Sequence, residues 1–447
     1  MPVTAYLAEL AWLGGGASGP VPDVLIEVDA GRFSAVTPQA ASVPPGVTRL
    51  AGLTVPGLAN AHSHAFHRAL RGRTHAGKGT FWTWRRAMYE VAARLDPDSY
   101  AALARAAYAE MALAGVACVG EFHYLHHGPG GQRYADPNAM SQALLWAAGE
   151  AGVRITLLDT VYLTSAVDGK PPEGPQLRFS DGDLDAWSER RAALAVPPGA
   201  RAGAAVHSVR AVPAEVLPAF AGRTDGVPVH VHVSEQRAEN DACRARHGCS
   251  PTELLHGSGL LGPHATAVHA THLSDLDRTL LGDTDTAVCF CPTTERDLAD
   301  GIGPARALVD AGSPLCLGSD SQAVVDLFEE ARAVELNERL RTERRGHFSA
   351  AELLHAATAA GHAALGWADA GTIAPGARAD LVTVRLDTVR TAGAAPADAV
   401  AAVVFGATAA DVWHVVVDGR VVVDEGRHRT VPDVAGALRE AVAAVTR

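Results

Sequence analysis

Pro56-Gly57-Leu58-Ala59-Asn60-Ala61-His62-Ser63-His64 decides how the rest of the chain is read. An apolar run, Leu53 to Leu58, leads into two histidines two residues apart. Side chains on a strand alternate faces, so His62 and His64 point the same way. Two imidazoles on one face at a strand end suit a divalent transition metal. Two polar residues in an ordinary loop would give the same string, so the choice rests on whether later strands also end in ligands.

Outward from this stretch, short apolar runs alternate with Ala- and Leu-rich helical stretches. Eight such runs occur, at 54–64, 116–124, 154–163, 201–209, 227–235, 265–273, 286–293 and 313–321. Helical periodicity follows them, as at Tyr100 to Ala114, Ala139 to Ala151, Leu184 to Leu194, Ala238 to Leu255 and Leu327 to Arg341. Eight strand-helix repeats predict an α/β fold, a (β/α)8 TIM barrel, with its chemistry at the C-terminal ends of the strands. A doubly wound open sheet is the competing architecture, but no G-x-G-x-x-G stands at a strand-to-helix junction.

The chain ends read differently. Asp23 to Val28 alternates polar and apolar residues before the turn Asp29-Ala30-Gly31-Arg32, and Trp413 to Val417, Asp418-Gly419 and Arg420 to Val423 spell a hairpin. Both ends are expected to pair into one small β-sandwich domain, residues 1–55 with 369–447, leaving 56–368 as the barrel. The segment Ser165 to Asp183 is too rich in proline and glycine for regular structure and follows the third strand, where it is either a lid over the barrel mouth or a surface loop.

With 447 residues, 48% hydrophobic and 20% charged, the chain has ample material for a core. No apolar run approaches a membrane span, and the N-terminus lacks the pattern of a secretory signal. Six irregularly spaced cysteines do not form a disulfide framework, so a cytoplasmic setting is expected. A net charge of −12 argues against nucleic-acid and membrane partners. It also means that an anionic substrate would need arginines of its own.

Later strand ends do carry polar residues: His207 to Arg210 after the fourth run, His230, His232 and Glu235 on the fifth, His269 on the sixth and Asp320 on the eighth. A barrel gathers such ends around one mouth. His62, His64, a histidine of the fifth strand and Asp320 make an N3O shell that leaves room for water. His232 is the nearer of the fifth-strand pair to the strand's end and is the expected ligand, with His230 in a deeper layer. Glu235 is placed to shuttle protons to a leaving group, His269 to steady a nucleophilic water, and Asp320 to accept that water's proton. Cys289 and Cys291 read as small core residues, Trp82 and Trp84 as either pocket wall or packing, and Arg339 to Arg345 as a solvated helix end.

This constellation resembles the amidohydrolase superfamily, in its mononuclear deaminase branch. The resemblance runs from His62-x-His64 through His232, Glu235, His269 and Asp320 to Gly371-Thr372-Ile373-Ala374-Pro375-Gly376, similar to the superfamily's return into its small β domain. Two-metal members carry a lysine at the fourth strand's end; Val206-His207-Ser208 stands here instead, which implies one metal and deamination. Within the branch, the stretches His62 to Ala69, Phe81 to Arg85, Glu121 to His127, His207 to Val212 and Cys291-Pro292-Thr293-Thr294-Glu295 are similar to the N-formimino-L-glutamate deiminase family.

That resemblance implies hydrolytic deimination of a small dicarboxylate in histidine degradation by metal-activated water. It nominates Arg85, Tyr124, His207 and Arg210 as holders of the substrate's carboxylates. Zinc, one per chain, is implied, with iron and manganese open, and so is a homodimer. The sequence departs from the family at His67, where glutamine is expected, and at Gln322, where histidine is expected. A deaminase of an aromatic amine and a non-catalytic barrel scaffold are the other readings.

Overall fold

The computed structural model describes residues 4–17, 19–75 and 81–447, apart from the side chains of Phe81 and Trp82. The strands are β1 Thr4–Ala11, β2 Val21–Asp29, β3 Arg32–Thr37, β4 Thr48–Pro56, β5 Leu58–Ser63, β6 Val116–His123, β7 Arg154–Val161 and β8 Ala200–Val206. They continue as β9 Val229–Val233, β10 Ala265–His269, β11 Ala287–Phe290, β12 Leu315–Leu317, β13 Leu381–Val384, β14 Val412–Val417, β15 Arg420–Asp424 and β16 Arg427–His428.

The apolar run that opens the sequence is cut in two. β4 ends at Pro56 and pairs with β13, whereas β5 begins at Leu58 and pairs with β6 in the other sheet. The expected single strand over 54–64 is therefore two strands. Proline at 56 has no N–H to extend a ladder. At Gly57 an added Cβ would lie 2.7 Å from the Cβ atoms of both Ala117 and Asp380, so a larger residue does not fit where the sheets meet.

β5 to β12 form one parallel sheet in sequence order, each expected run supplying one strand. The sheet closes where β12 meets β5. His62 and Asp320 are joined by Asp320 N donating to the His62 carbonyl at 3.0 Å, and His64 N donates to the Asp320 carbonyl at 3.1 Å. Gly318 permits this approach, since a Cβ there would stand 2.7 Å from the His62 carbonyl oxygen. The strands stop short of the apolar runs, so His207, Glu235 and Asp320 sit on the turns above them.

Helices wrap the barrel as the sequence predicts, with one correction. The stretch Ala238 to Leu255 is two helices, Arg237–His247 and Pro251–Gly257. Gly248 takes a left-handed φ of 75° that ends the first, and Ser250 caps the second ahead of Pro251.

The chain ends share the second sheet, ordered β16-β15-β14-β13-β4-β1-β2-β3. β4 joins them, parallel to β1 and antiparallel to β13. It is a single hydrogen-bonded sheet that curls on itself: Ala379 N donates to the Gly31 carbonyl at 2.9 Å, bringing the β2–β3 turn to β13. Tyr6, Ile26, Phe33, Leu381 and Val416 pack inside. The last helix, Val434–Thr446, leaves this sheet and packs on the barrel helix Pro97–Leu113. Its buried residues Val434, Leu438, Ala441 and Val445 form one apolar stripe.

Arg154 of β7 bolts the two sheets together. Its Nη1 and Nη2 donate to the two carboxylate oxygens of Asp380 at 2.7 and 2.5 Å, and both side chains are buried. Trp367 lies beneath it, with the guanidinium 5.1 Å from the ring centroid.

Candidate active site

The strand ends converge as a barrel requires. His62 lies at the end of β5 with His64 just past it, His232 lies on β9, and Asp320 follows β12. One donor atom from each lies within 4.8 Å of the others, and all four residues are buried. Burial lowers the pKa of all three imidazoles well below the usual histidine range, which keeps them neutral and able to ligate. Burial also opposes ionisation of Asp320, but His269, His64 and His232 outweigh it and hold the carboxyl below its ordinary value.

Backbone carbonyls orient the rings. His64 Nδ1–H donates to the Phe122 carbonyl at 2.9 Å and His232 Nδ1–H to the His207 carbonyl at 2.8 Å, which turns both Nε2 lone pairs inward. His232 Nε2 is 3.1 Å from His62 Nε2. Asp320 Oδ1 is 3.5 Å from His62 Nε2 and 3.4 Å from His64 Nε2. Donors that share one ion with bonds of 2.0–2.2 Å stand about 3.0–3.6 Å apart, the closer spacing belonging to five-coordinate shells that admit a water. The donor set fits one divalent transition ion.

His269 stands beside this cluster, its Nε2 3.6 Å from Asp320 Oδ2 and 3.9 Å from Glu235 Oε1. Burial alone would lower its pKa, but the carboxylates of Glu235, Glu295 and Asp320 raise it to about 10. Several of these residues sit in strained backbone: Ser234, His269, Ala270 and Asp320 have φ of 53°, 69°, 47° and 42°. Non-glycine residues hold such angles only where the surroundings impose them.

A solvent-open cleft with about 710 Å³ of empty space lies over the cluster. His67, Arg85, Tyr124, His207 and Arg210, singled out in the sequence, all line it together with Glu235, His269 and Asp320. His67 Nε2 pairs with the Tyr124 hydroxyl at 2.9 Å, and burial pushes the His67 pKa down to about 4, so its ring is neutral. Arg85, on the helix Phe81–Arg94, donates from Nε to the Tyr89 hydroxyl at 2.8 Å. Arg210 Nε is 3.2 Å from the buried Glu239 Oε2, and Glu239 and Glu235 together overcome the effect of burial and keep the guanidinium charged.

His230 lies deeper, its Nε2–H donating to the Ala364 carbonyl at 3.2 Å. Cys289 and Cys291 are buried free thiols packed with Ala61, Val268 and Cys316. Cys291 also comes near His269 and Asp320. Trp84 lines the cleft; the side chain of Trp82 lies outside the described residues.

Sequence reasoning did not single out several residues here. Tyr89, Tyr162 and Phe179 line the cleft. Phe179 meets Tyr124, Tyr162 and Tyr89 at ring separations of 5.0, 5.5 and 6.1 Å. It comes from the 165–183 segment, which is tied down: Arg178 is buried and donates to the carbonyls of His127, Ala92 and Leu95. Ser165 and Phe179 of this segment line the cleft. Glu121 is a further buried carboxylate; it accepts from Ser63 Oγ and Ala65 N, and burial pushes its pKa up to about 8. No spacing rule marks these residues, because each reaches the site from a different segment.

Known proteins resemble this chain along its length. The amidohydrolase family profile matches residues 53–422. The formimidoylglutamate deiminase of Pseudomonas aeruginosa is 35% identical over 441 residues, spanning 95% of this chain and 96% of that protein. The 8-oxoguanine deaminase of the same organism is 31% identical over 357 residues, 76% of each. A crystal structure of an amidohydrolase from Brucella melitensis superposes with a TM-score of 0.89 at 29% identity, covering 99% of this chain and 100% of that one.

Proposed function

The chain belongs to the amidohydrolase family, and from that premise we propose that it hydrolyses N-formimino-L-glutamate to N-formyl-L-glutamate and ammonia, with one zinc ion per chain. The observation that carries this reading is the presence of Arg85 and Arg210 in the same cleft as the His62, His64, His232 and Asp320 cluster. A dicarboxylate entering a protein of net charge −12 needs fixed cations, and a guanidinium grips a carboxylate in two places. The similarity to formimidoylglutamate deiminase over nearly the whole chain supports the same substrate.

His62, His64, His232 and Asp320 would hold the ion. When bound, it supplies a water acidic enough to ionise near neutral pH and polarises the group it touches. Asp320 Oδ2, turned toward His269, takes the proton that the attacking water gives up. A C–O bond forms at the formimino carbon, and the terminal C–N bond breaks. Glu235 passes two protons in turn to the departing nitrogen, the one the water gave to Asp320 and the one the new hydroxyl loses as the formyl carbonyl forms, and the nitrogen leaves as ammonia. His269, between Asp320 and Glu235, steadies the charge that develops at the carbon's substituents. Arg85, Arg210, Tyr124, His67 and His207 hold the glutamate portion in place. A cytoplasmic homodimer acting on a free small molecule, without nucleic-acid or membrane partners, belongs to the same proposal; its acidic charge is in keeping with it, and among the described residues no helix is long and apolar enough to cross a membrane.

One observation favours a second substrate class. The rings of Tyr89, Tyr124, Tyr162 and Phe179 in the cleft wall would stack on an aromatic amine, and 8-oxoguanine deaminase is among the relatives. The test is ammonia release from formiminoglutamate and from guanine-type amines by purified zinc-loaded protein. Turnover of the first alone is expected. Turnover of the second alone, or of neither with the metal in place, overturns the reading.

A further inference from the structure

The stretch Cys291-Pro292-Thr293-Thr294-Glu295 leaves β11 and opens a short helix, Pro292–Asp297. Its polar groups reach both neighbouring strands. Thr294 Oγ1 donates to the Ser319 carbonyl at 3.3 Å and accepts from Ser321 N at 3.1 Å, gripping the chain on either side of Asp320. Thr293 is anchored through its N–H and hydroxyl to the buried carboxylate of Glu330. Glu295 turns the other way. Its Oε1 accepts from Cys291 N at 2.8 Å and faces His269 Nδ1 at 3.4 Å, and it is 2% exposed.

We propose that Glu295 is a positioning residue: it accepts the Nδ1–H of His269 and so fixes which ring nitrogen faces Asp320 and Glu235. This rests on the hydrolytic reading above. The two nitrogens of an imidazole are not equivalent, and a fixed acceptor for one decides where the other points. With Nδ1–H on Glu295, Nε2 stands 3.6 Å from Asp320 Oδ2 and 3.9 Å from Glu235 Oε1. The backbone beneath His269 has φ of 69° and continues into Ala270 at 47°, so the strand end alone does not settle the ring's direction. Glu295 is itself held by the amide of Cys291, four residues back in the same turn, and its oxygen is therefore fixed in place before any substrate arrives.

Two substitutions separate this role from mere packing. Glu295→Gln keeps an oxygen for the Cys291 N–H to hold, so an acceptor for Nδ1–H remains; Glu295→Leu removes it at similar volume. In zinc-loaded protein with ¹⁵N-labelled histidine, a long-range ¹H–¹⁵N spectrum should show a hydrogen-bonded Nδ1–H for His269 in the parent and in Glu295→Gln, and lose that hydrogen bond in Glu295→Leu. With formiminoglutamate, kcat should stay within about fivefold for Glu295→Gln and fall about 10²-fold for Glu295→Leu, with KM within about threefold and zinc content unchanged. The spectrum needs no substrate, so an Nδ1–H hydrogen bond that depends on residue 295 supports the positioning role even where formiminoglutamate is not turned over. Retention of that hydrogen bond and of kcat in Glu295→Leu overturns it. So does a rise in KM at constant kcat, which would make Glu295 a substrate-binding group.

Discussion

At the scale of single residues, the cleft combines a metal-type cluster with two arginines, and the proposed reaction gives them different tasks. Arg85 and Arg210 are expected to hold carboxylates that are charged equally in substrate and transition state. Uniform binding of that kind sets KM more than kcat. Arg85→Ala and Arg210→Ala should each raise the KM for formiminoglutamate by about 10- to 100-fold, the value of one charge-assisted bidentate contact, with a smaller change in kcat. Steady-state kinetics checks this, and unchanged KM in both variants would point to the aromatic-amine reading. His67 stands where the resemblance to the deiminase family leads one to expect glutamine. Neutral and paired with Tyr124, it presents an imidazole edge where an amide was expected.

At the scale of elements, the wall that carries Phe179 depends on a buried ion network. Arg190, on the helix Leu184–Ala192, donates to Asp159 of β7 at 2.7 and 2.8 Å and to Asp181 of the 165–183 segment at 2.9 Å. Trp187 Nε1–H also donates to Asp159, at 2.8 Å. Burial opposes ionisation of Asp159, yet the Arg190 guanidinium and His126 take its pKa down to about 2. A folded value below the unfolded one, about 3.9, means the stabilisation is complete above pH 4 and is lost as pH falls through 2. Arg190→Met strands two buried carboxylates and should cost about 3–5 kcal/mol at pH 7. That deficit should shrink between pH 4 and 2, where the parent loses the same contribution. Urea unfolding of both proteins across this range checks the prediction, and a deficit independent of pH would refute it.

At the scale of the whole molecule, the two sheets share one apolar cluster, with Val55, Val382, Val415 and Val423 packed among barrel residues, and they also touch closely at particular points. Gly57, where the chain passes from one sheet to the other, is one. The pair of Arg154 and Asp380 is another, and it draws Asp418 in as well, since Arg154 Nη1 also reaches Asp418 at 3.1 Å. Removing one partner of a buried pair leaves an uncompensated charge. Asp380→Ala should therefore lower the unfolding free energy by about 3–5 kcal/mol, measured in urea, while binding of a divalent metal ion at the far end of the barrel is kept. A loss below about 1 kcal/mol would show that the sheets do not rely on this pair.

Periodicity and strand-end chemistry carried most of the architecture and the centre of the site. Eight apolar runs separated by helical stretches call for a parallel sheet covered by helices, since each run buries both faces and a right-handed crossover follows it. The missing dinucleotide motif and the polar strand ends favour the barrel over the doubly wound sheet. Once the strands lie side by side, His62, His64, His232, Glu235, His269 and Asp320 share one mouth, so their meeting was legible from one dimension. Other features were decided only by packing in three. The cut at Pro56–Gly57 depends on what lies opposite, namely Ala117 and Asp380. The apolar stripe of the last helix marks an amphipathic helix but not its partner, which proves to be the barrel rather than the nearby sheet. Phe179 reaches the cleft because Arg178 is anchored by three carbonyls from distant segments. Glu295 meets His269 because β10 and β11 are adjacent strands. A sequence specifies each element's own pattern of burial, whereas contacts between elements far apart in the chain depend on volumes and hydrogen-bond partners that exist only once the chain has folded.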